Sequence, residues 1–142
     1  MKNLNHYIKE AWGGVKKQTH NAEIETWCKA NNIENYTINS QGEIDVDSNV
    51  FIDSKIFNDI ELPYKFGKVD GNFSLYIVTK LTSLKNCPDI VTNKFSCIGC
   101  SQLDSLEECP KEVGGDFIWF KNKKRFKEST IRSFCNVKGE VG

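Results

Sequence analysis

The chain has 142 residues, with 19 basic side chains set against 19 acidic ones, which predicts a single domain with at most a short appendage. Zero net charge removes the sequence-independent attraction on which nucleic-acid binders rely, so nucleic acid is disfavoured as a partner. Apolar residues make up 39% and charged ones 27%, a polar balance, yet nine Phe, four Tyr and three Trp supply a thin core rather than a disordered chain. No window approaches the run of about 18 apolar residues that a membrane span needs, and the N-terminus lacks the apolar stretch of a signal peptide. The expectation is therefore no membrane and no secretion by that route. On that reading the six cysteines are reduced thiols, and the sequons at Asn35 and Asn72 are silent.

The first elements in chain order are helical. Residues 3–12 carry Leu4, Tyr7, Ile8 and Ala11 at helical spacing, and residues 21–31 carry Ile24, Trp27 and Cys28. Asn21 is predicted as the N-cap of the second helix, with Glu23 and Glu25 in its first turn. Between the two helices, Gly13-Gly14 with the residues to Gln18 reads as a hinge. From Tyr36 the pattern changes to period two: Thr37-Ile38-Asn39, a turn at Ser40-Gln41-Gly42, then Ile44, Val46, Val50 and Ile52 as short strands.

An internal repeat follows. Phe73 to Lys94 (FSLYIVTKLTSLKNCPDIVTNK) aligns without a gap on Phe95 to Asp116 (FSCIGCSQLDSLEECPKEVGGD), with eight of 22 positions identical. Another unit starts at Phe117. Leu62-Pro63, with Phe66, Val69 and Gly71, reads as the end of an earlier unit lengthened by about three residues, which would put Pro63, Pro88 and Pro110 at one place in the repeat. A period of this length, carrying Leu-x-x-Leu and then Cys-Pro, predicts leucine-rich-repeat-like coils, each contributing one short parallel strand. Alternation then stacks Val50/Ile52, Phe73/Leu75, Phe95/Cys97 and Phe117/Trp119 as two inward columns. Leu81, Leu84, Leu103 and Leu106 fill the opposite wall, and Cys87 and Cys109 are small packing residues at the turn.

Near Phe126 to Cys135, the residues Ile131, Phe134 and Cys135 predict a closing helix that caps the last coil. Val141 follows Gly139-Glu140 as Phe117 follows Gly115-Asp116, so a last strand is expected to begin there, either minimal or cut short by truncation. The fold class is α+β: an N-terminal helical segment at residues 1–34, then a parallel β solenoid with about 22-residue coils and a C-terminal cap at residues 35–142.

The blocks Asn35–Val46 (NYTINSQGEIDV), Leu62–Val69 (LPYKFGKV), Leu81–Pro88 (LTSLKNCP) and Cys109–Phe117 (CPKEVGGDF) resemble a family of leucine-rich-repeat-like proteins of large tailed bacteriophages, over roughly residues 24–142. The chain departs from that pattern at Cys100, where such repeats carry Asn, and at Arg125, which replaces the first leucine of the fourth unit. The first eleven residues, Met1 to Ala11, resemble the capsid-targeting peptide of phage internal head proteins. That likeness implies cleavage after Ile8-Lys9-Glu10, a mature protein starting at Ala11, and residence in the virion interior and then the host cytoplasm. Leu106-Glu107-Glu108 matches the same tripeptide pattern, and position near Met1 distinguishes the first. The alternative for residues 1–10 is an amphipathic helix packed on the first coil.

For chemistry, Cys97-Ile-Gly-Cys100 has the spacing of a zinc-binding pair, but it lacks a partner pair, and Cys97 belongs to an inward column. Cys97 and Cys100 are therefore secondary metal candidates, and no cofactor is expected. His6 and His20 lie apart from any nucleophile, and no Walker-type loop is present, so an enzyme is not expected. Lys121, Lys123, Lys124, Arg125 and Lys127 form a basic run beside Trp119 and Phe120, read as a solvated face with nucleic acid as a minor alternative.

The same strand alternation points Ser74, Tyr76, Ser96, Ile98, Ile118 and Phe120 outward on the concave sheet surface, with Phe51 in or near that register. Tyr76, Ile98 and Phe120 form an apolar column, and together with Ile118 they are the binding candidates. The alternative is that the N-terminal helices cover the strip through Tyr7, Ile8 and Trp12. The function expected is a non-enzymatic protein-binding module, carried in a phage capsid and acting on a host defence protein. A structural or assembly protein of the virion is the second reading, and a small zinc- or nucleic-acid-binding protein the third.

Overall fold

A computed structural model describes residues 19–142. The predicted first helix, the hinge, the processing residues Ile8, Glu10 and Ala11, and the covering residues Tyr7 and Trp12 lie outside the described residues. Helix α1 covers residues 19–30. Ile24 and Cys28, one turn apart, are buried, and Trp27 makes edge contacts with Phe57, Tyr64 and Phe66 at 5.8, 5.9 and 6.0 Å. The helix thus closes the N-terminal end of the core. Asn21 is not its N-cap: it lies inside the helix, beyond Thr19 and His20. The helix ends where Asn32 takes a left-handed conformation (φ 55°), with the Ile33 N–H donating to the Cys28 carbonyl at 2.9 Å and the Asn32 N–H to that of Lys29 at 3.2 Å.

The chain then forms an antiparallel hairpin of β1 (Tyr36–Ile38) and β2 (Ile44–Val46). Its turn is held by the Asn39 side-chain oxygen, which accepts from the Gln41 and Glu43 backbone N–H groups. From β2 onward the chain coils in parallel. The strands β3 (Val50–Asp53), β5 (Phe73–Tyr76), β7 (Phe95–Ile98) and β9 (Phe117–Phe120) make a four-stranded sheet in that order. On the other wall, β1 and β2 are continued by β4 (Phe66–Val69), β6 (Ile90–Val91), β8 (Glu112–Val113) and β10 (Asn136–Val137) to make a six-stranded sheet. Each coil therefore contributes two strands, not the one expected. The second is a rung of as few as two residues placed just after the Cys-Pro turn.

Register fixes the repeat. Val50, Phe73, Phe95 and Phe117 are successive partners, as are Ile52, Leu75, Cys97 and Trp119, and all eight are buried. The aromatic members run in contact through the core, with Phe73–Phe95 stacked at 6.0 Å and Phe95–Phe117 tilted at 5.0 Å between ring centroids, and Phe66 of β4 meets Phe73 edge-on at 5.3 Å. Leu81, Leu84, Leu103 and Leu106 are buried as predicted, but they lie in the segments that join the two sheets, and the opposite wall is the six-stranded sheet. The Cys87 and Cys109 N–H groups close turns on the Leu84 and Leu106 carbonyls, and Asn86 and Glu108 take positive φ just before them.

Two details differ from the expected repeat. Val69 pairs with Val91 across 22 residues, so Leu62 falls level with buried Leu84 and Pro63 level with Lys85, three residues ahead of the Pro88 position. That unit is not lengthened by three, and its one extra residue is an irregularity in β4, where Ile44 and Val46 pair with Phe66 and Val69. Helix α2 (Glu128–Phe134) closes the C-terminal end from within the last coil, between β9 and β10. Ile131 and Cys135 face the core, whereas Phe134 is 47% exposed and does not. Val141 forms a parallel bridge to Phe117, where the sequence places the start of another strand.

Candidate functional site

Strand alternation that buries Phe73 and Leu75 turns Ser74 and Tyr76 to the other side, and the parallel register repeats this in each coil. On the outer face of the four-stranded sheet, Phe51, Ser74, Ser96 and Ile118 form one row, and Asp53, Tyr76, Ile98 and Phe120 the next. The four expected binding residues thus sit on one surface. Phe51, Tyr76 and Phe120 are 55%, 38% and 53% exposed, while Ile98, between Tyr76 and Phe120, and Ile118, on the same strand as Phe120, are half-buried. The Phe51 and Tyr76 rings lie 5.7 Å apart and tilted, a diagonal contact that joins the two rows. Ser96 is outward as expected but buried, a short side chain among taller neighbours. Helix α1 does not cover the strip: its aromatic contacts are Phe57, Tyr64 and Phe66.

Ile77 belongs beside this surface, and sequence reasoning missed it. It is exposed and adopts φ 53°, a region that disfavours a β-branched side chain. The equivalent residues of the next two coils, Gly99 and Lys121, have φ of 71° and 57°, so the coil corner demands the conformation. Gly99 also makes room, since a Cβ there would approach Ile77 Cγ1 to 3.2 Å. Gly at position 99 was the available signal.

At the C-terminal end of the strip, Lys121, Lys123, Lys124, Arg125 and Lys127 are all exposed. The Lys121 ammonium lies 5.3 Å from the Phe120 ring centroid, and that of Lys124 lies 5.3 Å from Phe126. Arg125, at the level of Leu81 and Leu103, points to solvent, and the neighbouring Phe126 packs on Trp119 at 5.4 Å in its place.

The cysteines are packing residues. Cys97 lies in the inward column between Leu75 and Trp119, and Cys100 is level with buried Val78. The Cys100 backbone N–H donates to the Asn122 side chain of the next coil, whose amide donates in turn to the Cys97 carbonyl, both at 2.9 Å. Burial raises the thiols of Cys97 and Cys100 above the ordinary value, the wrong direction for a ready thiolate. Among the described residues, no group of three or more His, Cys, Asp or Glu is placed to hold a metal ion. No described helix is long and apolar enough to cross a membrane. The chain matches no protein-family model, and no curated protein or solved structure matches it either.

Proposed function

We propose that the chain is a non-enzymatic protein-binding module whose partner, of host or phage origin, docks on the outer face of the four-stranded sheet. One observation carries this reading: Phe51, Tyr76 and Phe120 stand exposed in a continuous strip on a rigid sheet whose inner face is already filled. Large aromatic side chains held in water on a regular surface are the usual anchors of an interface. The tailed-phage setting is what the sequence resemblance adds, with processing after Glu10 and passage from virion to host cytoplasm.

Tyr76→Asp with Phe120→Asp tests the docking face. The unfolding free energy in urea should fall by about 1 to 2 kcal/mol, because Tyr76→Asp loses the Phe51 ring contact and faces Asp53, with the fold left intact. Capture of the partner from infected cells should fall at least about tenfold, the loss of about 1.4 kcal/mol of binding free energy. Unchanged capture with an intact fold overturns the reading. The phage setting fails separately if purified virions carry no chain beginning at Ala11.

A further inference from the structure

The strip does not fade into solvent at its C-terminal end. Phe120, the last member of the outward column, also lines a cavity of about 530 Å³ together with Trp119 and Phe126, and Lys121, Lys124 and Arg125 border it. The loop around this cavity is fixed. The Trp119 indole N–H donates to the Lys124 carbonyl at 2.7 Å, and two of the lysines lie against the aromatic rings already described. Lys123 reaches Asp104 at 3.7 Å, but Lys121, Lys124, Arg125 and Lys127 have no carboxylate partner among the described residues. In a chain whose charges balance overall, four cations without a carboxylate partner among the described residues fall within residues 121–127. The opposite end of the same row is Asp53, and none of the outward residues between is basic.

We infer that this face takes an acidic segment of a protein partner, with apolar side chains lying on Phe51, Tyr76 and Ile98 and carboxylates on the loop of residues 121–127. The inference rests on the docking face of the proposed function and names the chemistry of what it receives. Charge complementarity selects the occupant and its direction, since a carboxylate gains at the basic end and is repelled at Asp53. A nucleic-acid strand carries an anion at every nucleotide and would bring several onto the uncharged Tyr76–Ile98 stretch and against Asp53. Successive strands of the sheet are about 4.8 Å apart, so Asp53 and Phe120 are about 14 Å from each other, the reach of a short peptide.

Selection of a random peptide library on the full chain tests this without assuming a sequence. The enriched peptides should carry clustered Asp or Glu beside apolar residues. Their synthetic forms should bind Lys121→Glu/Lys124→Glu/Arg125→Glu at least about tenfold more weakly than the parent, and should weaken as ionic strength rises toward about 0.5 M. Enrichment of peptides without acidic residues, or equal binding to the charge-reversed variant, overturns the acidic class. The docking face then stands if Phe51→Asp/Tyr76→Asp still abolishes binding, and falls with it if neither variant matters. A library that yields no enriched peptide overturns the inference too. So does an oligothymidine strand that binds the parent more tightly than the enriched peptides, which would assign the loop to nucleic acid.

Discussion

Each of the six cysteines is buried where a small apolar side chain meets the core, and burial sets its chemistry. The thiols of Cys28 and Cys135 are pushed up to about 11 and that of Cys109 to about 12, mainly by desolvation, with the Glu25 and Glu112 carboxylates adding to it for Cys28 and Cys135 and the neighbouring Cys135 thiol for Cys109. The unfolded chain releases the same protons near the ordinary value of 9.0. Between these values the unfolded state binds fewer protons than the folded one, so stability falls as pH rises. The contribution is fully present below about pH 9 and is lost on the way to about pH 11 to 12. Urea midpoints should therefore drop between about pH 8 and about pH 10.5, with a shallower slope in Cys135→Ala; a midpoint flat across that window contradicts buried thiols. At this scale much was legible in the sequence, because identity at positions one period apart exposed Cys87 and Cys109 as equivalent. The place of Cys100 was not, since its support comes from the Asn122 side chain one coil later, whose role depends on a corner geometry that no spacing displays.

The six-stranded sheet shows why elements were harder to read than residues. Its rungs Ile90–Val91, Glu112–Val113 and Asn136–Val137 are two residues long, too short for an alternation to register, although Val91 and Val113 are identical positions of the repeat. These rungs are held by successive coils in close contact. The Gly114 N–H donates to the Val91 carbonyl at 2.9 Å, and a Cβ at Gly114 would collide with the carbonyl oxygen of Thr92 in the coil before it. The backbone there needs no left-handed conformation, so the requirement is one of space alone. Gly114→Ala should cost about 1 to 3 kcal/mol in urea unfolding, as overpacking does, and an unchanged midpoint would show that the coils stack more loosely than described. Pro63 taught the opposite lesson from the glycine: a shared residue type invited an alignment that the Val69–Val91 register moves by three positions.

At the scale of the molecule, a solenoid of about four coils with a helix at each end presents two sheets, and one of them carries a row of aromatic side chains in water. The sequence foretold the coil, the inward columns and the outward row of Tyr76, Ile98 and Phe120, because parallel in-register stacking turns a 22-residue period directly into columns. It did not foretell the Phe51–Tyr76 contact, the strained Ile77 or the cavity under the basic loop, which depend on ring orientation and corner conformation rather than on period. The central claim is that the outer face of the four-stranded sheet meets the partner and the six-stranded sheet does not. A photo-crosslinking amino acid placed singly at Phe51, at Phe120 and at Ile90, which is exposed on the six-stranded sheet, tests it most directly. Crosslinks to one and the same protein from the Phe51 and Phe120 positions, with none from Ile90, are predicted; equal yields from all three, or a crosslink from Ile90 alone, would contradict the account.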